Sequence, residues 1–319
     1  MITKENTYRK AFENKAERLK EKQRQRELML SAAYAAKPRL AEIDVEMSAV
    51  GANLALVALT GDKEKLADLK LKSESLSAEK KVLLHESQVP EIKYDCYLCN
   101  DTGYVSGKIC DCIKKEAASV MAEELSREMP LGDCRFDNFD LKYYPEKTDD
   151  GKTPRKKMTA ILKLCREYVL NFSPEGSGNL LFTGGAGLGK THLTLAIVSE
   201  IIKKGYMPVY GSAENLFSII ENEKFSGEGR GSYEAILNCD LLVIDDLGVE
   251  MATSFTKSVL YNLVNTRLMS RKPTIINTNL SMKEIENRYT ARITSRFIGN
   301  YDEQRFAGND IRLQKLLDK

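Results

Sequence analysis

The segment Gly184-Gly185-Ala186-Gly187-Leu188-Gly189-Lys190-Thr191 constrains this chain more than any other. It satisfies G-x-x-x-x-G-K-[ST] in full, after a strand-like run at Asn179–Thr183 and before a helical pattern over Thr191–Lys203. Glycines are needed because successive backbone N–H groups must turn inward to cradle phosphate oxygens, and side chains would block that approach. All eight residues are therefore read as nucleotide-binding, with Lys190 reaching the β- and γ-phosphates and the Thr191 hydroxyl ligating Mg²⁺. His192 follows directly and is grouped with them as a structural rather than a catalytic residue.

A phosphate loop needs a second acid on the magnesium side. Leu241-Leu242-Val243-Ile244-Asp245-Asp246 supplies one at the end of an apolar strand, with Asp245 for Mg²⁺ and Asp246 for polarising the attacking water. Further on, Pro273–Asn279 reads as another strand, whose tip offers Asn279 either to orient water or phosphate or to cap the next helix. Arg292 and Arg296 stand at i,i+4 and share one helix face. Arg312, in Gly308-Asn309-Asp310-Ile311-Arg312, is a further candidate phosphate contact. From Ile161 onward, apolar strands alternate with amphipathic helices, which predicts an α/β fold built on a parallel sheet.

Taken together, these segments resemble the AAA+ domain of DnaC/DnaI-type replicative helicase loaders, related to the IstB-like ATPases. Phe136-Asp137-Asn138-Phe139-Asp140 resembles the segment leading into that domain. The resemblance implies that Asn279 is the first sensor, Arg312 the second, and Arg292 or Arg296 an arginine finger donated to a neighbouring subunit. A finger acting in trans makes hydrolysis depend on assembly. The second acid here is Asp246 where many AAA+ proteins have Glu, one methylene longer, so slow, switch-like turnover is expected.

Upstream, Leu40, Ile43, Met47, Val50, Leu54 and Val57 form a coiled-coil seam, broken at Thr60-Gly61-Asp62. Leu66, Leu69, Ser73, Leu76, Lys80 and Leu83 resume it with two polar interruptions, which predicts two antiparallel helices. Their apolar seam must be covered either by residues 8–30, in a three-helix bundle, or by a partner protein. Cys96-x-x-Cys99 and Cys110-x-Cys112 suit tetrahedral Zn²⁺, with Thr102-Gly103 offering the turn between the pairs. They also resemble the zinc module of the DnaI branch. Cys134, Cys165 and Cys239 stand alone and read as small buried hydrophobes, and His85 as a surface residue.

The expected organisation is a helical partner-binding region over residues 1–90, a zinc module over 91–115, a linker over 116–160 and the ATPase over 161–319. The linker includes a short helix (Ile113–Glu128) and a polar loop from Pro145 to Lys157. Between two expected strands, residues 212–238 hold Lys224, Phe225 and Arg230 amid glycines, either a basic–aromatic set able to stack a base of single-stranded DNA or a surface loop with one anchoring Phe. The net charge of +2 disfavours a bulk electrostatic DNA binder. The longest apolar run, Leu54–Leu59, is far short of the roughly 20 residues that span a bilayer, so no membrane partner and a cytoplasmic location are expected.

The resemblance implies a loader that delivers a DnaB-type helicase onto single-stranded DNA and self-associates through its ATPase domain, with ATP, Mg²⁺ and Zn²⁺ as cofactors. An IstB-type transposition helper is the alternative. A DnaA-like initiator is disfavoured because only seven residues follow Arg312, too few for a helix-turn-helix domain. A scaffold that binds ATP without hydrolysing it stays open.

Overall fold

A computed structural model describes residues 4–60, 62–128, 131–148, 151, 153–226 and 231–317. It divides into two compact units, residues 12–110 and residues 1–11 with 111–319. Helix α1 (Lys4–Ala36) is followed by α2 (Arg39–Thr60) and α3 (Lys63–Glu86), and a small hairpin of β1 (Tyr104–Val105) and β2 (Lys108–Ile109) ends the 12–110 unit. The coiled-coil seam forms as its spacing predicts. Ile43, Val50 and Leu76 are buried between α2 and α3, with Met47, Leu54, Leu69 and Leu83 packed around them. Asp62 caps α3 by accepting the Lys65 N–H, satisfying one of the orphan donors of its first turn, while Gly61 lies outside the described residues. The polar interruption Lys80 bonds Asp44 on α2.

The second unit continues with α4 (Asp111–Glu128), short 3₁₀ turns at Phe136–Asn138 and Leu141–Tyr143, and α5 (Pro154–Leu170). The polar loop expected through Lys157 therefore ends earlier. Pro154 is the first residue of α5, where its missing N–H costs nothing and its fixed φ suits the helix. Then come β3 (Asn179–Thr183), α6 (Lys190–Lys203), β4 (Pro208–Ser212), α7 (Ala213–Ser226), α8 (Ser232–Asn238) and β5 (Leu241–Leu247). Residues 212–238, between β4 and β5, are thus largely α7 and α8. Helix α9 (Ser254–Met269), β6 (Thr274–Thr278), α10 (Met282–Arg288), α11 (Ala291–Asn300), β7 (Tyr301–Arg305) and α12 (Ile311–Leu317) complete the chain.

The five strands β3–β7 form one sheet in the order β4-β5-β6-β3-β7, parallel throughout. Central strands are near-continuous apolar runs, as in Leu180-Leu181-Phe182 and Leu241–Ile244, because helices cover both faces. The chain leaves β3, crosses to the far edge at β4, walks back through β5 and β6, and then passes to the other side at β7. Strand order reverses beside β3, and ligands of parallel sheets sit at the carboxyl ends of the strands at such a point. The second unit is an α/β fold, a parallel sheet with flanking helices and a phosphate loop after β3, and the first is mainly helical.

Candidate functional site

The loop after β3 sits at that reversal and opens α6. Gly189 takes φ +89° as the N-cap of α6, and Gly187 takes φ +72°. A cavity of about 600 Å³ opens here, lined by residues 186–192 together with Asp245, Asp246, Asn279 and Arg312. The Lys190 ammonium donates to the carbonyls of Gly184 (2.6 Å) and Gly185 (2.7 Å) and to Asn279 Oδ1 (2.6 Å). Burial pushes its pKa down, so an arriving anion would favour the charged form.

Asp245 is the hub. Its Oδ1 accepts from Thr191 Oγ1 (3.3 Å), Asn277 Nδ2 (2.7 Å) and the Asp246 N–H (3.0 Å), while Oδ2 accepts from the Tyr210 hydroxyl. Thr194 on α6 donates to Asn277 Oδ1 at 3.0 Å, which fixes the amide with its nitrogen towards Asp245. The β5–β6 register breaks between Ile244 and Leu247, and Asp246 takes φ +51° in that break. The irregularity turns both carboxylates towards the phosphate loop, the usual consequence of a local bulge. Burial, and then the Asp245 charge, push the Asp246 carboxyl above its ordinary range.

Residues 134–144, expected to be linker, line the same cavity through Cys134, Asn138, Phe139, Asp140 and Tyr143. The buried Tyr144 hydroxyl donates to the Leu188 carbonyl at 2.8 Å. A Cβ on Gly189 would stand 2.7 Å from the Phe139 ring, so this loop glycine is required by packing as well as by φ. His192 meets the Arg135 carbonyl at 2.9 Å and packs on Phe139, and burial pushes its pKa down, as befits a supporting residue. From the other side, the Ile311 N–H donates to the Gly187 carbonyl (3.0 Å), and Asp310 occupies the space a Cβ on Gly187 would need.

Asn279 is exposed at the tip of β6, and the following helix is capped by Ser281 in a capping box with Glu284, not by Asn279. Arg312 lines the cavity and pairs with Asp310 at 3.5 Å. Arg292 and Arg296 are exposed on α11 and do not line this cavity. Lys224 and Phe225 end α7, with Phe225 70% exposed, its ring 5.6 Å from that of Phe255, and Lys224 over both rings. Arg230 lies outside the described residues.

Tyr210, Asn277, Tyr144, Phe139 and Asp310 were not identified as site residues from sequence. Asn277 carried a signal, because a polar residue inside the apolar run Ile275-Ile276 must find a partner once buried.

The sulfurs of Cys96, Cys99, Cys110 and Cys112 lie within 4.8 Å of one another. The Cys96–Cys110 separation is 3.8 Å, close to the edge of about 3.8 Å implied by a tetrahedron with Zn–S bonds of about 2.3 Å. Local hydrogen bonds shape the knuckle. Asp101, at φ +61°, accepts the N–H groups of Asp95 (2.8 Å) and Cys96 (2.9 Å) and pairs with the buried Lys15 at 2.9 Å. The Cys99 N–H and its neighbours lower the Cys96 thiol to about 7, towards the thiolate a metal needs. These residues fit zinc.

Residues 167–299 match the family model of IstB-like ATP binding proteins. Over 175 residues the chain is 32% identical to the replicative helicase loader DnaC of Escherichia coli K12, an alignment covering 52% of this chain and 64% of that protein. Over 249 residues it is 25% identical to an IS21-like insertion-sequence ATP-binding protein of Bacteroides fragilis, covering 76% of this chain and 87% of that one. A crystal structure of the DnaC helicase loader aligns with a TM-score of 0.46 and 25% identity, covering 54% of this chain and 98% of that one. The matched stretch thus spans a little under two thirds of the DnaC relative, and the likeness rests on the shared sequence around the phosphate loop. Residues 167–299 are similar to IstB-like ATP binding proteins, and the chain shares about a third of its aligned residues with a DnaC loader.

Proposed function

We propose that this chain is an ATP-driven loader that delivers a DnaB-type replicative helicase onto single-stranded DNA. The observation that carries the proposal is the DnaC-like stretch, which brings a complete phosphate loop, acid pair and strand-tip asparagine around one cavity. Lys190 and the loop N–H groups hold the β- and γ-phosphates. Thr191 and Asp245 hold Mg²⁺, which neutralises phosphate charge when bound, and Tyr210 and Asn277 fix the Asp245 carboxylate for that task. Asp246 polarises the attacking water, Asn279 orients it, and Arg312 steadies the γ-phosphate. Arg292 and Arg296, exposed on α11 and outside the lining of their own cavity, serve a neighbour's, so turnover is slow in the lone subunit and rises on assembly. The cysteine module holds Zn²⁺ and shapes the helical region that grips the helicase.

The test is size-exclusion chromatography of the full chain with its host's replicative helicase and ATP·Mg²⁺. It is repeated with Leu56→Asp and Leu59→Asp on the exposed face of α2, where the two leucines are 62% and 87% exposed. Co-elution weakened by the substitutions supports the proposal, and independent elution of the wild type sinks it.

A second reading, a transposition helper, is favoured by one observation. The alignment to the IS21-like protein covers 76% of this chain, so it necessarily extends upstream of residue 161. Co-elution with the cognate transposase, and not with the helicase, would put that reading first.

A further inference from the structure

Glu250 follows the acid pair in sequence but does not line the nucleotide cavity. It is 3% exposed. Its Oε2 accepts the Gly248 N–H at 2.9 Å, its Oε1 accepts the Tyr289 hydroxyl, and its backbone carbonyl accepts from the Arg288 guanidinium. An apolar side chain would pack here at less desolvation cost. What the carboxylate adds is a connection between two segments distant in sequence.

The first segment is the turn leaving β5, which begins with Asp245 and Asp246. It is tied to β6 as well, because Thr278 Oγ1 donates to the Leu247 carbonyl at 2.6 Å. Leu280 closes over Gly248, where an added Cβ would come within 2.5 Å of it. The second segment is the corner between α10 and α11. Arg288 ends α10, Tyr289 caps it, and Thr290 caps the start of α11 by accepting the Ile293 N–H. The exposed face of α11 then presents Arg292 and Arg296, while Ile293 and Phe297 anchor it in the core.

We propose that Glu250 is a positioning residue that couples the Asp245–Asp246 pair to the arginine-bearing face of α11 through Tyr289 and Arg288. The inference rests on the ATPase reading above and extends it. A nucleotide that moves the acid pair moves the Gly248–Glu250 turn, and with it the corner from which a subunit offers arginine to its neighbour. Arg288 Nε is buried at this corner without an acceptor among the described residues.

The experiment compares the wild type, Tyr289→Phe, Glu250→Gln and the double variant as full chains. It measures affinity for a fluorescent ATP analogue, assembly-stimulated ATPase, and nucleotide-dependent hydrogen exchange over residues 282–300. Tyr289→Phe removes one oxygen and keeps the buried ring, and retained affinity reports that the fold survives. In the wild type, nucleotide should slow exchange at the corner. In both single variants affinity stays within about 2-fold, KM holds, and kcat falls about 10–100-fold. Corner protection is lost, and the double variant is no worse than either single one, because both remove the same link. Unchanged corner exchange in the nucleotide-bound wild type, full kcat in the variants, or additive losses would each overturn the coupling while leaving the ATPase reading intact. A wild type that binds no nucleotide would instead bring down that reading, and the coupling with it.

Discussion

Asp246 holds a left-handed backbone conformation, φ +51°, at the exit of β5, a geometry that Asp and Asn tolerate better than most residues. Burial and the Asp245 charge raise its pKa, so the native state keeps the proton over a range where the unfolded chain has lost it. Stability is therefore lost as pH rises from the unfolded value of about 3.9 through the raised folded value. Asp246→Asn removes that cost without straining the backbone. It should raise the melting temperature at pH 7 while cutting ATPase by about 10²–10⁴-fold, and a fall in melting temperature would contradict the electrostatic account. Lys190 makes the complementary case. ATP at about 100-fold over its Kd should stabilise the wild type by about 2.7 kcal/mol, and Lys190→Ala should show no shift in differential scanning fluorimetry. The phosphate loop was readable in sequence because eight contiguous residues carry their own geometry. Tyr210 was not, because its bond to Asp245 follows from pairing β4 against β5 in the register that sets Tyr210 opposite Val243.

Periodicity decided what could be read of the helices. The α2–α3 seam follows a heptad pattern that only a helix pair satisfies, and the buried residues Ile43, Val50 and Leu76 fall on it. The start of α5 was missed because Pro154 and its polar neighbours look like loop punctuation, although proline at a first helical position is a start signal. Helix α7 was obscured by the glycines that follow it, whereas its buried Leu216, Phe217 and Ile220 lie at helical spacing. Nothing in residues 134–144 announced that they fold over the phosphate loop, since those contacts join positions such as Tyr144 and Leu188. The cysteine module has its own test. A segment this short has little core, so metal supplies much of its folding energy. Elemental analysis should find about one zinc per wild-type chain, the number a single four-thiolate site holds. Cys110→Ser should lose the metal and speed hydrogen exchange over residues 96–112, while the ATP-induced thermal shift of the ATPase domain persists. A Cys110→Ser protein that keeps zinc would count against the ligand set.

No helix among the described residues is long and apolar enough to cross a membrane. Within the unit of residues 111–319, the cavity and the exposed Arg292 and Arg296 lie on different elements, and the proposed loader would have each subunit complete its neighbour's site. Arg292→Ala or Arg296→Ala should cut stimulated hydrolysis by about 10³–10⁵-fold, whichever of the two is the finger. Mixing that variant with Lys190→Ala subunits should restore part of the rate, because one brings an intact cavity and the other an intact arginine. Mixtures as inactive as their components would place the arginine's action within its own subunit. The outer strand β7 bears on how such assemblies behave under stress. Its residues Asp302, Glu303 and Arg305 are exposed beside Gln304, and charges along an outer strand discourage another strand from zipping onto it. Growth by strand addition at that border is thereby blocked. When these chains crowd together at high concentration, clusters formed there should dissolve on dilution rather than harden into fibres.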